Sequence, residues 1–247
     1  MSEVFDDDLA TQRAMMFDSA GSAAERQETQ VAVFAYEAPV RIWHWVNFLC
    51  MLVLCVTGWL IGQPPPSIGG EASTNFLFGW IRFSHFAAGQ VFAYAFVGRM
   101  IFAFVGNPTA RELFVVPVWS RQWWHDLFST FKWYFFLQKR PQRFIGHNPL
   151  AQAMMFTTFV LPAFVIIATG VALYVEPYGI DHPVYMLTDL VFMMTGGSLQ
   201  THAWHHLSMW LIICFSILHI YAAVREEIMS RQSMISTMVS GWRMFKD

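Results

Sequence analysis

The stretch from Thr201 to Tyr221 (THAWHHLSMWLIICFSILHIY) is strongly apolar but carries imidazole side chains towards both ends. His205 and His219 are fourteen residues apart, and at about 100° per residue fourteen steps return to within roughly 40° of the starting helix face. At about 1.5 Å per residue, the two rings lie roughly 21 Å apart along the axis. One helix face therefore presents imidazoles at two depths of a bilayer, where each ring needs a polar partner or a metal.

The composition is that of an integral membrane protein. Of 247 residues, 55% are hydrophobic and 13% are charged, whereas average soluble domains carry about 25% charged residues. The three cysteines, Cys50, Cys55 and Cys214, all lie in apolar runs, which argues against a disulfide framework or a zinc site. No basic stripe suited to nucleic acid is present.

Four apolar segments are long enough to cross about 30 Å of hydrocarbon. We predict membrane-spanning helices at about 42–61, 81–105, 149–175 and 204–224, with a kink at Pro162 in the third. The predicted fold is an all-α integral membrane protein, a four-helix transmembrane bundle over residues 36–247. Residues 1–35 are polar and acidic, which predicts a mobile N-terminal tail.

Lysine and arginine predict the orientation of the bundle. They occur in the N-terminal tail, in the loop between the second and third spans, and in the C-terminal tail, whereas loops 62–80 and 176–201 contain neither. Because positive residues stay on the cytoplasmic side, both termini are predicted to be cytoplasmic. An amphipathic helix is predicted within 116–140 at the inner interface, and a short helix within 183–194 at the outer surface.

This orientation sorts the histidines by depth. His85 and His205 lie near the outer face, whereas His44 and His219 lie near the inner face. Two imidazoles from facing helices at one depth suit six-coordinate haem iron. The sequence therefore predicts two haem sites, with each histidine as an iron ligand. His206 remains an alternative to His205, although its face is offset by roughly 140° from that of His219.

Other residues share these faces or lie near the inner haem. Gly58 follows His44 by fourteen residues and would either let a macrocycle approach the backbone at the outer depth or simply allow close packing of two helices. Arg99 follows His85 by fourteen residues and could pair with a haem propionate or a quinone oxygen at the inner depth, or extend its charge to the interface. The quinone candidates are Asn148, Gln152 and Tyr221, although Asn148 before Pro149 is also an ordinary helix start.

Several segments together resemble one family, the b-type cytochrome subunits of membrane-bound nickel–iron hydrogenases. The resemblance covers about Phe34 to Lys246 and includes loops as well as spans. Its motifs are YEAPVRIWHW, GWIRFSHF, VGNPTARELFVVPVW, GHNPLAQA, TGGSLQTHAWHHLSMWLI and HIYAAVREEIMS. A related cytochrome, with the same four-helix, two-haem plan, serves membrane-bound formate dehydrogenases.

The resemblance implies an electron-transfer subunit in the bacterial cytoplasmic (inner) membrane, without catalytic residues of its own beyond a quinone site. It implies two haems b, with ligands at the positions of His44, His85, His205 and His219. It further implies hydrogenase small and large subunits on the periplasmic side, and menaquinone or ubiquinone as electron acceptor. In some members of that family arginine follows the outer ligand, whereas this chain has His206 at that position.

Two other functions fit the same spans less well. A cytochrome for another periplasmic dehydrogenase, such as formate dehydrogenase, would use the same histidines and haems. A proton-coupled transporter would use intramembrane histidines in another way, but such transporters usually contain inverted repeats or paired broken helices. Neither feature is evident in this sequence.

Overall fold

A computed structural model describes residues 31–66, 75–139, 142, 144–230 and 232–245. In chain order the elements are β1 (Val31–Phe34), α1 (Ala38–Gly62), α2 (Leu77–Val105), α3 (Pro108–Arg111), α4 (Arg121–Tyr134), α5 (Pro149–Met155), a π-helical turn (Phe156–Val160), α6 (Leu161–Val175), a 3-10 turn (Glu176–Tyr178), α7 (Tyr185–Thr195), α8 (Ser198–Met229), α9 (Thr237–Ser240) and β2 (Trp242–Phe245). The protein is therefore mainly helical, with one short β-ribbon.

Within the described residues, four helical segments are long and apolar enough to cross a membrane. They are α1, α2, the continuous segment Pro149–Tyr178 and α8, and each of these candidate spans overlaps one of the four predicted segments. Three of these segments begin before the predicted limits, at Ala38, Leu77 and Ser198, whereas the third span begins at Pro149 as predicted. At Pro149 the chain begins its third span with a proline, whose missing N–H has no intrahelical partner at a first turn anyway.

The third span contains the irregularity that Pro162 predicts. A π-helical turn over Phe156–Val160 ends two residues before that proline. Proline has no N–H to donate to the preceding turn, and a widened turn is one way in which a helix accommodates this loss. The hydroxyls of Thr157 and Thr158 bond back to the carbonyls of Ala153 and Met154, at 2.8 and 2.5 Å.

The spans associate in two neighbouring pairs. α1 packs against α2, and α6 packs against α8. The buried centre between these helices is apolar and includes Phe92, Phe96, Phe159, Val160 and Ile212. This apolar core lies between the two ends of the bundle.

The ribbon brings the two ends of the described chain together. β1 and β2 are antiparallel, with Val31 opposite Phe245 and Phe34 opposite Trp242. The all-α prediction was therefore wrong at this point, because strands of four residues at opposite ends of a chain leave no recognisable pattern. Residues 31–35, assigned to the tail, belong to the fold, and the rest of the predicted tail (1–30) lies outside the described residues.

Two shorter helices flank the spans. α4 lies within the segment predicted to form an amphipathic helix, and α7 overlaps the predicted short surface helix and ends one residue beyond it. α4 is attached to the C-terminal part of α8, because the indole N–H of Trp133 donates to the buried carboxylate of Glu226 at 3.2 Å. Glu226 also pairs with Arg225 at 3.2 Å. The end of the bundle that carries α4 and the ribbon is called the ribbon end below.

Candidate functional site

Four histidines form two facing pairs, one towards each end of the bundle. The ring centroids of His85 (α2) and His205 (α8) are 6.4 Å apart. The centroids of His44 (α1) and His219 (α8) are also 6.4 Å apart, and this second pair lies towards the ribbon end. All four side chains are half-buried. α8 thus contributes one histidine to each pair, as the fourteen-residue spacing requires.

Threonine hydroxyls hold both rings of the His85–His205 pair. The hydroxyl of Thr57 (α1) lies 2.9 Å from Nδ1 of His85. The hydroxyl of Thr169 (α6) lies 3.0 Å from Nδ1 of His205. Each ring is therefore anchored at Nδ1 by a neighbouring helix, and its Nε2 is left for another partner. Neither threonine was predicted from the sequence.

A glycine follows each of these threonines and makes room for the same histidine. A Cβ atom at Gly58 would lie 3.2 Å from Cε1 of His85. A Cβ atom at Gly170 would lie 3.3 Å from Cε1 of His205. Contacts this short are tighter than ordinary van der Waals contact, so both positions favour glycine. Gly58 was predicted as a site residue, whereas Gly170 was not.

The His44–His219 pair has a different environment. The ring of Phe215 stacks on His219, with centroids 5.3 Å apart and an interplanar angle of 30°. Nδ1 of His44 is buried and has no hydrogen-bond partner among the residues that the structure describes. Aromatic packing therefore supports His219, and Nδ1 of His44 has capacity for a further partner.

The remaining histidines near these pairs point elsewhere. His206 is exposed, and its Nε2 lies 3.9 Å from where a Cβ of Gly62 would be. His202 is also exposed, and its Nδ1 lies 3.0 Å from the carbonyl of Ser198. Of the two alternatives at the end opposite the ribbon, it is thus His205 that faces His85.

Sequence comparison identifies the family. A family described as prokaryotic cytochrome b561 matches residues 35–241. This chain belongs to that family.

Curated relatives of this b561-family chain carry closely similar names. One from Azotobacter vinelandii, named a probable Ni/Fe-hydrogenase B-type cytochrome subunit, is 53% identical over 227 residues, which cover 92% of this chain and 95% of the relative. One of the same name from Cupriavidus necator is 51% identical over 216 residues, covering 87% and 88%. A probable Ni/Fe-hydrogenase 1 B-type cytochrome subunit from Escherichia coli is 49% identical over 224 residues, covering 90% and 95%.

Membership of the cytochrome b561 family implies b-type haem, and the two histidine pairs fit that cofactor. An imidazole nitrogen lies about 2 Å from a transition metal that it binds, so two rings that shared one metal ion would have centroids roughly 6 Å apart. Both pairs have this separation. No group of three or more His, Cys, Asp or Glu side chains that could bind a metal occurs among the described residues. Two histidines per site suit a metal whose other ligands come from a porphyrin.

Arg99 is buried near the ribbon end of α2. Only 4% of it is exposed, so it does not extend into solvent. One nitrogen donates to the carbonyl of Ala110 at 2.6 Å, and the guanidinium lies 5.6 Å from the ring centroids of both Trp43 and Phe114. Its Nε and Nη1 have no hydrogen-bond partner in the described part of the chain. A buried cation with free donors fits an anionic or carbonyl group.

The three quinone candidates have distinct environments. Oδ1 of Asn148 accepts from the N–H of Ala151 at 2.7 Å and caps α5. Both amide N–H groups of Gln152 are used, by the carbonyls of Glu112 and Val115 at 3.0 and 2.9 Å. A quinone would therefore have to displace one of these bonds to reach a donor of Gln152. Tyr221 is 63% exposed and so remains accessible from the surface of α8.

A polar network at the ribbon end was not predicted. Nδ1 of His147 lies 3.1 Å from Glu112 and 3.2 Å from the hydroxyl of Tyr36. Burial, and next the carboxylate of Glu112, raise the pKa of Tyr36. Arg243 in β2 donates to the carbonyl of Gly146 at 2.6 Å, and burial lowers its pKa. These bonds attach the start of the third span to the ribbon.

A small polar cavity lies beside this network. It is lined by residues that include Trp133, Asn148, Glu226 and Arg243. Burial and the neighbouring carboxylate of Glu226 raise the pKa of Tyr134, in the same region, to about 12. The cavity volume of about 20 Å³ accommodates roughly one water molecule and not a quinone ring.

Proposed function

We propose that this chain is the membrane-anchored b-type cytochrome subunit of a nickel–iron hydrogenase, and that it carries electrons from the hydrogenase across the membrane to quinone. The observation that carries the proposal is the presence of two equally spaced histidine pairs, one towards each end of four spanning helices. The names of relatives at about half identity support hydrogenase, in preference to another dehydrogenase, as the partner.

Haem b, when bound, supplies reversible one-electron chemistry to the site. The contribution of the chain is to hold one haem between His85 and His205 and another between His44 and His219. Roughly 21 Å of helix separates the two pairs, and the aromatic core between them excludes water. A dry, rigid medium fixes the distance between the two sites and keeps the environment of each constant.

We further propose that the ribbon end is cytoplasmic. Positive side chains lie at this end or in the adjoining loop: Arg41, Arg111, Arg121 and Lys132. At the other end, residues 176–201 contain no lysine or arginine. With this orientation the His85–His205 pair lies near the periplasm, where the hydrogenase subunits would dock. The His44–His219 pair lies near the cytoplasm. The membrane is the bacterial inner membrane.

Quinone would then be reduced at the ribbon end. Arg99 supplies a buried cation with free donors for a quinone oxygen or a propionate of the nearby haem. Tyr221 is exposed on α8, two residues beyond His219, and is accessible to a quinone that arrives through lipid. The Asn148 side chain caps α5 and also hydrogen-bonds the side chain of Tyr134, so a quinone would have to share or displace that second bond. Gln152 contributes only if its bonds to the loop are rearranged.

The proposal is tested on the hydrogenase complex, purified with this chain and with its His219→Ala variant. The wild-type complex should contain about two haems b per chain, and the variant about one, because His44 alone leaves iron with a missing ligand. Hydrogen-dependent quinone reduction should be lost in the variant. Hydrogen-dependent reduction of a soluble dye should persist, since dye reduction does not require this subunit.

The variant His206→Ala is the matched control, because His206 is exposed and lies on the same helix. It should retain both haems and quinone reduction. A wild-type complex that contains no haem b, or a His219→Ala complex that reduces quinone at the wild-type rate, would contradict the proposed function.

A further inference from the structure

The His85–His205 pair is held by the same two-residue arrangement twice. Thr57–Gly58 on α1 faces His85, and Thr169–Gly170 on α6 faces His205. In each case the threonine hydroxyl meets Nδ1 and the glycine makes room for Cε1. α1 and α6 lie in different helix pairs, so the same contacts are made independently on the two sides of the site.

The hydroxyl geometry determines which atom donates to which. The Thr57 hydroxyl lies 2.6 Å from the carbonyl of Val53, and the Thr169 hydroxyl lies 2.7 Å from the carbonyl of Val165. Because a carbonyl can only accept, each hydroxyl donates its one hydrogen to the carbonyl of its own helix. The hydroxyl oxygen must then accept a hydrogen from the imidazole. Each histidine is thereby held with its hydrogen on Nδ1 and its lone pair on Nε2.

We propose that Thr57 and Thr169 are positioning residues for the haem that the proposed function assigns to His85 and His205, and that their hydroxyls lower the reduction potential of that haem. An imidazole that donates from Nδ1 is a more basic ligand at Nε2. A more basic ligand stabilises ferric over ferrous iron. The inference rests on the proposed function for the haem itself, but assigns these two hydroxyls from the structure.

The His44–His219 pair provides an internal comparison. Nδ1 of His44 is buried without a hydrogen-bond partner among the described residues. The effect of the threonines should therefore be confined to one of the two haems. A change at that haem alone separates this role from a general loosening of the bundle.

The test is a redox titration of the purified complex carrying Thr57→Val, Thr169→Val or both. Valine keeps the shape of threonine but cannot accept a hydrogen bond. The potential of the haem at the His85–His205 pair should rise, and that of the other haem should not change. If the loss weakens ferric binding tenfold more than ferrous binding, which is within the usual range for such partners, the rise is about 59 mV for a one-electron couple.

Thr157→Val is the matched control. Its hydroxyl makes the same bond to a helix carbonyl, at 2.8 Å from Ala153, but Thr157 is exposed and meets no histidine. This control should leave both potentials unchanged. Thr57→Ser and Thr169→Ser retain the acceptor and should restore the wild-type potential, including in any case where the valine variant has lost the haem.

Three outcomes would overturn the inference. The first is that the valine variants leave both reduction potentials unchanged. The second is that they shift the potentials of both haems by the same amount. The third is that the serine variants shift the potential as much as the valine variants do. The haem content of the wild-type complex distinguishes failure of this inference from failure of the proposed function. Two haems in the wild-type complex with unchanged potentials in the valine variants would remove only the role of the threonines, whereas no haem in the wild-type complex would remove the proposed function.

Discussion

At the scale of single residues, each ring of the His85–His205 pair is held at two atoms. A threonine hydroxyl accepts from Nδ1, and a glycine leaves space beside Cε1. Because Nδ1 is anchored, the ring cannot turn away from a group added at the glycine. The sequence predicted Gly58 as room for a macrocycle, and the contact with His85 is a second requirement for glycine at the same position.

Replacing either glycine should therefore disturb this pair. In Gly58→Ala and Gly170→Ala the new methyl group would lie 3.2 and 3.3 Å from a ring carbon, and inserting a methyl group into a packed site costs about 1–3 kcal/mol. We expect lower occupancy or an altered spectrum for one haem of the two. Reduced-minus-oxidised spectra and haem content measure this effect.

Gly98→Ala is the control for these glycine variants. It lies within α2, and a Cβ there would meet nothing within 4 Å. All three changes gain the same helix propensity, roughly 1 kcal/mol. A difference in haem spectrum or content between Gly98→Ala and the other two variants therefore reports the contact with histidine. Spectra of Gly58→Ala and Gly170→Ala that match that of Gly98→Ala would show that these contacts do not matter.

The predicted site residues are defined by spacing within one helix, whereas the residues that were not predicted depend on contacts between two helices. His205 and His219 are predictable because fourteen residues nearly complete whole helical turns, so one helix alone defines their common face. Thr57 and Thr169 are not, because a threonine within a spanning helix ordinarily bonds to its own backbone. Their contact with histidine depends on how two helices pack, which periodicity does not encode.

At the scale of elements, the ribbon was not predicted for the same reason: it depends on a contact between distant segments of the chain. Each strand has four residues, and its partner is at the opposite end of the chain. The long spans were predictable because hydropathy over about twenty residues is a local signal. The ribbon is stabilised through Gly241, whose carbonyl accepts from the N–H groups of Ala35 and Tyr36 at 2.9 and 3.2 Å.

Gly241→Ala should weaken the ribbon end. Gly241 has φ of 86°, and a Cβ there would lie 2.7 Å from the carbonyl oxygen of Tyr36. The matched control is Gly179→Ala, which has φ of 73° but meets nothing within 4 Å. Both variants carry backbone strain of about 1–2 kcal/mol, and only Gly241→Ala adds a clash.

Thermal unfolding in detergent measures the difference. We expect a lower Tm for Gly241→Ala than for Gly179→Ala, and loss of the haem at the His44–His219 pair before the other. α1, which carries His44, begins two residues after Tyr36, so damage to the ribbon reaches this pair first. Equal Tm values for the two variants would mean that the ribbon does not support the bundle.

At the scale of the whole molecule, the two histidine pairs give the protein a direction only if the bundle has a fixed orientation. The ribbon holds both described ends of the chain on one side. Lysine and arginine favour the cytoplasm for that side. The His85–His205 pair would then face the compartment in which we propose that the hydrogenase docks, and the His44–His219 pair would lie near the proposed site of quinone reduction.

Reporter fusions test this orientation in the producing bacterium. A fluorescent protein that matures only in the cytoplasm should fluoresce when it is fused after residue 247. Alkaline phosphatase, which is active only in the periplasm, should be active when it is inserted at Gly179, where the backbone has open space around it. Exchanging the two reporters should abolish both signals. The opposite pattern would put the Thr57–Gly58 and Thr169–Gly170 arrangements on the cytoplasmic side, and would reverse the proposed direction of electron transfer while leaving both haem sites intact.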